Sequence, residues 1–171
     1  MVTKYLYQSV EIRDAIRNAL DIRRKASNIR IMTMNIGDFN LMNETDSFIK
    51  KIYRLLSAGV NVTILIGGRA EKFDPATISL LKDLFERGAK VYHNKRAHAK
   101  LILVKSKSEK LVLITSANFT NSGLHQMLEI GVDGLNIDQD TYDQFEKYII
   151  EKLNLLTTTS IDNFFIEWGY V

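Results

Sequence analysis

Residues 97–118 read AHAKLILVKSKSEKLVLITSAN. Two apolar runs, 97–104 and 110–118, flank the polar stretch KSKSE, which is too short for a crossover helix, so they form an antiparallel hairpin. Because they are apolar on both faces, these strands belong inside a sheet covered by helices on two sides. Working outward, helices and strands alternate upstream. Ile12, Ala15, Ile16, Ala19 and Leu20 make one helical stripe with Ser9 as its expected N-cap, followed by a strand at 29–36. Phe48, Ile49, Ile52, Leu55 and Leu56 make a second stripe after Asp46, stopped by Gly59, before a strand at 60–66. Asp74 and Pro75 open a third helix that Gly88 ends, and a strand at 89–92 follows. Downstream come a short strand at 128–132 and a helix from about 138 to 155. The pattern predicts an α/β fold with a mixed, largely parallel sheet sandwiched between helices. The expected organisation is one domain over 1–171, with a core at about 9–155 and an aromatic tail at 157–171. Phe164, Phe165, Trp168 and Tyr170 of that tail are expected to pack on the domain's own surface.

The chain of 171 residues carries 23 Lys plus Arg, 20 Asp plus Glu and no Cys, which excludes disulfide scaffolds, thiol nucleophiles and thiolate zinc sites. At this length a core needs no staple. The 46% hydrophobic content includes no run near the ~18 apolar residues of a membrane span, and MVTKYLYQSV has no signal core, so a cytoplasmic protein without a membrane partner is expected. The net charge of +3 is unevenly spread. Residues 90–110 hold seven cations and one acid, a local +6 that leaves the remainder at −3. Such asymmetry suggests an anionic partner.

Within the hairpin, period two sends His98 and Lys100 to one face and Ala99, Leu101 and Leu103 to the other. An imidazole and an ammonium opening a buried strand need partners. Placing residue 104 opposite 112 sets Asn118 across from His98 and Ser116 across from Lys100, a donor-rich pocket for a tetrahedral oxyanion. A slip of one residue would turn Ser116 and Asn118 to the opposite face.

The run His98-Ala99-Lys100, then Thr115-Ser116-Ala117-Asn118, then Glu129, resembles the His-x-Lys, Gly-Ser-x-Asn and Glu motifs of the phospholipase D superfamily. Its size and basic neighbourhood make it most similar to the small single-motif nucleases of that superfamily. The resemblance covers most of the chain and implies the phospholipase D-like fold. It also implies a metal-independent phosphodiesterase, without cofactor, acting through a phosphohistidine. In it, His98 is the nucleophile, Lys100 and Asn118 hold the nonbridging oxygens, Ser116 supports them, and Glu129 bonds the other ring nitrogen of His98. Lys95, Arg96 and Lys105 would contact substrate. One His cannot be nucleophile and leaving-group acid at once, so a homodimer supplying His98 twice is implied.

Two positions depart from the superfamily pattern: Lys105 stands where an Asp is usual, and Thr115 replaces the Gly. The tyrosyl-DNA phosphodiesterase branch also lacks that Asp. The other readings are a phospholipid or small-diester hydrolase, and a degenerate nucleic-acid-binding module for which Lys105 is the motive. His93 reads as a phosphate-steering or exposed loop residue and His125 as structural or solvent-facing. Gly67-Gly68-Arg69 could approach a phosphate but lacks a P-loop Lys-Ser/Thr and reads most simply as a tight turn, and three scattered histidines make no metal site.

Overall fold

A computed structural model describes residues 2–41, 47–125, 129–135, 137–155 and 158–167. The first half runs β1 (Val2–Leu6), α1 (Ser9–Ala19), β2 (Asn28–Thr33), α2 (Phe48–Ser57), β3 (Asn61–Ile66), α3 (Pro75–Glu86) and β4 (Lys90–His93). The second runs β5 (Lys100–Lys105), β6 (Lys110–Thr115), α4 (Asn121–His125), β7 (Gly131–Leu135), α5 (Gln139–Leu153), β8 (Thr159–Ser160) and α6 (Ile161–Glu167). Among the described residues eight strands form one sheet in the order β1-β7-β6-β5-β2-β3-β4-β8.

Helix starts follow the sequence closely where a side chain caps them. Asp74 accepts the Thr77 N–H at 2.7 Å with Pro75 in the first turn, and Asp138 does the same for Thr141 at 2.8 Å. Each such cap stabilises its helix by about 1 kcal/mol. Gly59 (φ 78°) and Gly88 (φ 95°) take the left-handed conformation that ends α2 and α3. Two starts differ from expectation. Ser9 lies inside α1, with Gln8 in the capping position and no side-chain bond. The cap of α2 is Ser47, whose Oγ accepts from the Lys50 N–H at 3.3 Å, while Asp46 lies outside the described residues.

The expected α/β sandwich is present, with parallel pairing confined to β2–β3–β4. The β1–β7, β7–β6, β6–β5, β5–β2 and β4–β8 pairings are antiparallel. Both faces are covered. Ile102 and Val104 of β5 join Ile12, Ile16, Phe48, Ile52 and Leu81 on one side, whereas Leu101 and Leu103 join Tyr142 and Ile149 of α5 on the other. That split is why the central strands read as continuously apolar. In the tail Phe164 and Phe165 are buried, packing on the core as expected, and Trp168 and Tyr170 lie outside the described residues.

The hairpin register differs from the expected one by a single residue. Val104 faces Leu111, and Lys100 faces Thr115 rather than Ser116. The cause is the turn: Ser106 Oγ accepts the N–H groups of Ser108 (3.3 Å) and Glu109 (2.9 Å), and Ser106 N donates to Glu109 O (2.9 Å). That local serine turn closes a loop over 106–109, so Lys105 pairs with Lys110.

Candidate active site at the carboxyl end of the parallel strands

The parallel strands β2, β3 and β4 all end on one side of the sheet, where β5 begins and β6 ends. In open α/β sheets this edge is where ligands bind. The loop that carries His98 is built tightly onto it. Asn94, buried, receives its fix from the Ile66 carbonyl (3.0 Å), and its own side chain and carbonyl accept the N–H groups of Arg96 (3.0 Å) and Ala97 (2.8 Å). Beneath it lies Gly67. A Cβ there would stand 1.6 Å from the Ala97 carbonyl oxygen, so the glycine permits the close approach of two backbones rather than serving only a turn.

His98 is exposed, and its Nδ1 lies 3.3 Å from Lys100 Nζ. Lys100 is only 7% exposed, and burial pushes its ammonium below the usual lysine range, opposed by the negative charge of Glu129. Glu129 accepts a hydrogen bond from Ser116 Oγ, and the same Oγ accepts from Ile130 N at 3.1 Å. The expected Glu129–His98 bond is therefore not made; Ser116, turned outward by the register, captures the carboxylate instead.

Thr115 carries its own explanation. It is buried, its hydroxyl donates to Ile130 O (3.1 Å) and accepts from Ala117 N (3.0 Å), so it ends β6 in a turn. Beyond it the strand alternation no longer applies. Asn118 is held between buried Ala117 and Phe119, and Phe119 bridges to Ile36 and donates its N–H to Thr33 Oγ1 at 3.4 Å. This clamps Asn118 at the same edge by backbone contacts instead of by the expected cross-strand register. Its Oδ1 is buried without a hydrogen-bond partner, an uncommon state for a polar atom.

Lys95 and Arg96 are exposed on the loop before β5. Lys95 lines a hollow of about 510 Å³ together with Arg69, Lys72, Asn35 and Gly68. Sequence reasoning set Arg69 aside as part of a tight turn and missed Lys72. Lys105, expected to contact substrate, is not brought to this edge. It stands five residues along an extended strand from Lys100, about 16 Å away, with its Nζ 3.9 Å from Glu146 of α5. His93 is corrected too: it is buried, its Nε2 lies 3.1 Å from Gly68 O, and its ring packs against Phe73 and Phe164. The His125 side chain lies outside the described residues. Among the described residues no three His, Asp or Glu side chains gather as a metal-ligating group, and no helix is long and apolar enough to cross a membrane.

A buried lysine and an exposed histidine thus stand together at the carboxyl edge of the parallel strands of a mixed α/β sheet, next to a cationic hollow. The family model for the cardiolipin synthase, PLD-like domain matches residues 12–152, and the chain belongs to this phospholipase D-like family. The phospholipase D family member Nuc from Salmonella typhimurium has a similar structure, with a TM-score of 0.69, 18% identity, and coverage of 93% of this chain and 97% of that one. NucT from Helicobacter pylori is equally similar, at a TM-score of 0.69, 17% identity, and 93% and 98% coverage. Polyphosphate kinase from Porphyromonas gingivalis matches at a TM-score of 0.63 and 13% identity, covering 87% of this chain but 25% of the kinase. No curated protein matches the chain.

Proposed function

We propose that this chain is a metal-independent phosphodiesterase of nucleic acids, with His98 as nucleophile and Lys100 and Asn118 as holders of the nonbridging oxygens. The observation that carries the reading is Lys100 Nζ, nearly buried and 3.3 Å from His98 Nδ1, at an edge walled by Arg69, Lys72 and Lys95. A cationic cradle stabilises charge on phosphoryl oxygens without a metal. The chain's family membership and the folds it resembles support the same class. The one motive for a degenerate site, Lys105, is weakened by its place at the far end of β5, where it pairs with Glu146.

The chemistry runs in two steps. His98 Nε2 attacks phosphorus, the P–O bond to the leaving group breaks, and a second imidazole supplies the proton that oxygen needs. That imidazole then takes a proton from water, whose oxygen attacks phosphorus as the P–N bond breaks and His98 is freed. A charged Lys100 only donates, so the Nδ1 facing it accepts and the proton of a neutral ring sits on Nε2. That tautomer leaves Nε2 without a free lone pair and is not the nucleophile, and the leaving-group acid is an imidazolium, which becomes neutral on giving up its proton. The nucleophilic form places the proton on Nδ1 with Glu129, released from Ser116, as its acceptor. A C2 dimer with one ring in the nucleophilic form and the other an imidazolium meets both needs. Support for a second copy comes from a hollow of about 400 Å³ beside Ser116, lined by Tyr5, Tyr7, Ile114 and Ile130. Tyr7 and Ile130 are 72% and 65% exposed, an apolar surface continuous with the site.

Cleavage of labelled single-stranded and double-stranded nucleic acid in excess EDTA, with wild type and His98→Ala, tests the reading. Activity that survives chelation and vanishes in His98→Ala is expected; equal behaviour of the two proteins sinks it. Light scattering of the wild type and Ile130→Glu tests the dimer: a mass of two chains falling to one, with loss of cleavage, is expected. A wild-type monomer that cleaves would remove the paired-site mechanism.

A further inference from the structure

The end of the sheet opposite the site carries a second basic surface. There the end of α1, the turn after it and the β5–β6 loop meet: Ser27 N donates to Lys105 O at 2.8 Å, and Arg24 pairs with Glu109 at 2.7 Å. Two hollows of about 340 and 670 Å³ share Asn18, Asp21 and Arg23, so they form one continuous groove. Arg17, Lys51 and Arg54 line its first half; Arg24, Lys25 and Lys107 line its second. With Arg23, seven cations face two lining acids, Asp21 and Glu109. An excess remains after the pairs Arg23–Asp21, Arg24–Glu109 and Arg17–Asp14 are set aside.

Lys25 is an independent sign that charge is wanted here. Among the described residues it is the one non-glycine with positive φ, at 50°, and it is exposed. Glycine or asparagine fits that conformation more easily, and a side chain there costs about 1 kcal/mol. Strain retained at a solvent-facing lysine fits a role for its ammonium better than a role in packing.

We propose that this groove is a second nucleic-acid contact, gripping the phosphodiester backbone of a long chain whose cleavage occurs at the opposite edge. Guanidinium forks match phosphate oxygens bidentately. Among the described residues no aromatic ring lines either hollow, so the contact reads backbone and does not stack bases. The groove and His98 are separated by the length of β5, about 16 Å. At about 3.4 Å per phosphate along one strand of a duplex, bridging them takes at least about five phosphates. A small diester therefore reaches the site alone, whereas a polymer reaches both. The cleavage part of this inference rests on the proposed phosphodiesterase reading; the binding part does not.

The test uses the full chain and Lys25→Gly/Lys107→Ser, neither residue belonging to the catalytic edge. Glycine at 25 relieves the backbone, so the variant should unfold no more easily than the wild type. Binding of a labelled 30-base-pair duplex by anisotropy should weaken about tenfold near 0.1 M salt, and the slope of log K against log salt should flatten by nearly two. Turnover of bis(p-nitrophenyl) phosphate should be unchanged while cleavage of long duplex falls. Unchanged duplex affinity and salt slope would overturn the proposal. So would poly-glutamate that competes through Lys25 and Lys107 as well as duplex does, whereas competition by inorganic polyphosphate alone supports the phosphate chemistry. If the wild type turns over neither substrate, the phosphodiesterase reading fails and the binding arm still decides the groove.

Discussion

The two ends of β5 carry lysines five residues apart, and they have become different groups. Lys100 is nearly buried, sits beside His98, and has its ammonium pushed below the ordinary lysine range by desolvation. Lys105 is 40% exposed, near Glu146 and the ring of Tyr142, at the base of the hairpin. Residue type and strand are the same; depth and neighbours differ. The contrast teaches that position along the strand, not the presence of a cation in the motif run, decides which lysine is buried beside His98.

Replacing each lysine in turn is the sharpest way to break this contrast. Lys100→Met keeps the length and removes the charge, and should lower kcat for diester cleavage by about 10³-fold while leaving thermal stability unchanged or raised, since a buried cation is lost. Titration adds a second readout. Activity needs the charged form, so it should fall as pH climbs through the lowered pKa of Lys100. Stability should move the opposite way: between that value and the ordinary 10.5 the unfolded chain binds the extra proton, so the burial penalty is relieved with rising pH. Parallel trends in activity and stability would show that Lys100 matters only to folding.

A smaller effect is expected one layer down. Gly67→Ala must displace the Ala97 carbonyl and with it the His98 loop, and a shift of about 1 Å should cost roughly 10²-fold in kcat with little change in KM. Full activity in this variant would mean that the loop tolerates movement and that His98 is poised by other contacts. The smallest effect belongs to Lys105→Ala. Its exposed pairing with Glu146 is worth less than about 1 kcal/mol, and cleavage should change by less than about threefold. A large loss would return Lys105 to the catalytic argument and erase the contrast.

Much of the fold was legible because its signals are local. Asp74-Pro75, Asp138, Gly59 and Gly88 mark helix ends through bonds within a few residues, and the helical stripes and apolar strands follow from periodicity alone. Strands β1 and β8 escaped because they pair with partners far along the chain and have no strong pattern of their own. At the candidate site, His98, Lys100, Ser116, Asn118 and Glu129 were singled out by their motifs. Their arrangement was not: Ser106 chose the turn, the turn chose the register, and the register gave Glu129 to Ser116. The place of Arg69 and Lys72 beside Lys95 was hidden because nothing local ties them to residue 95.

The sequence by itself determined the order of helices and strands, the hairpin, the family resemblance and the residues of the motif, since each rests on interactions spanning one turn or one strand. Only the tertiary structure decided which lysine is buried, why residue 67 is glycine, where residues 17–25 meet 105–109, and that His93 packs in an aromatic cluster. Those features depend on which distant segments share solvent-free space, and desolvation and close backbone approach leave no period in the chain that could announce them.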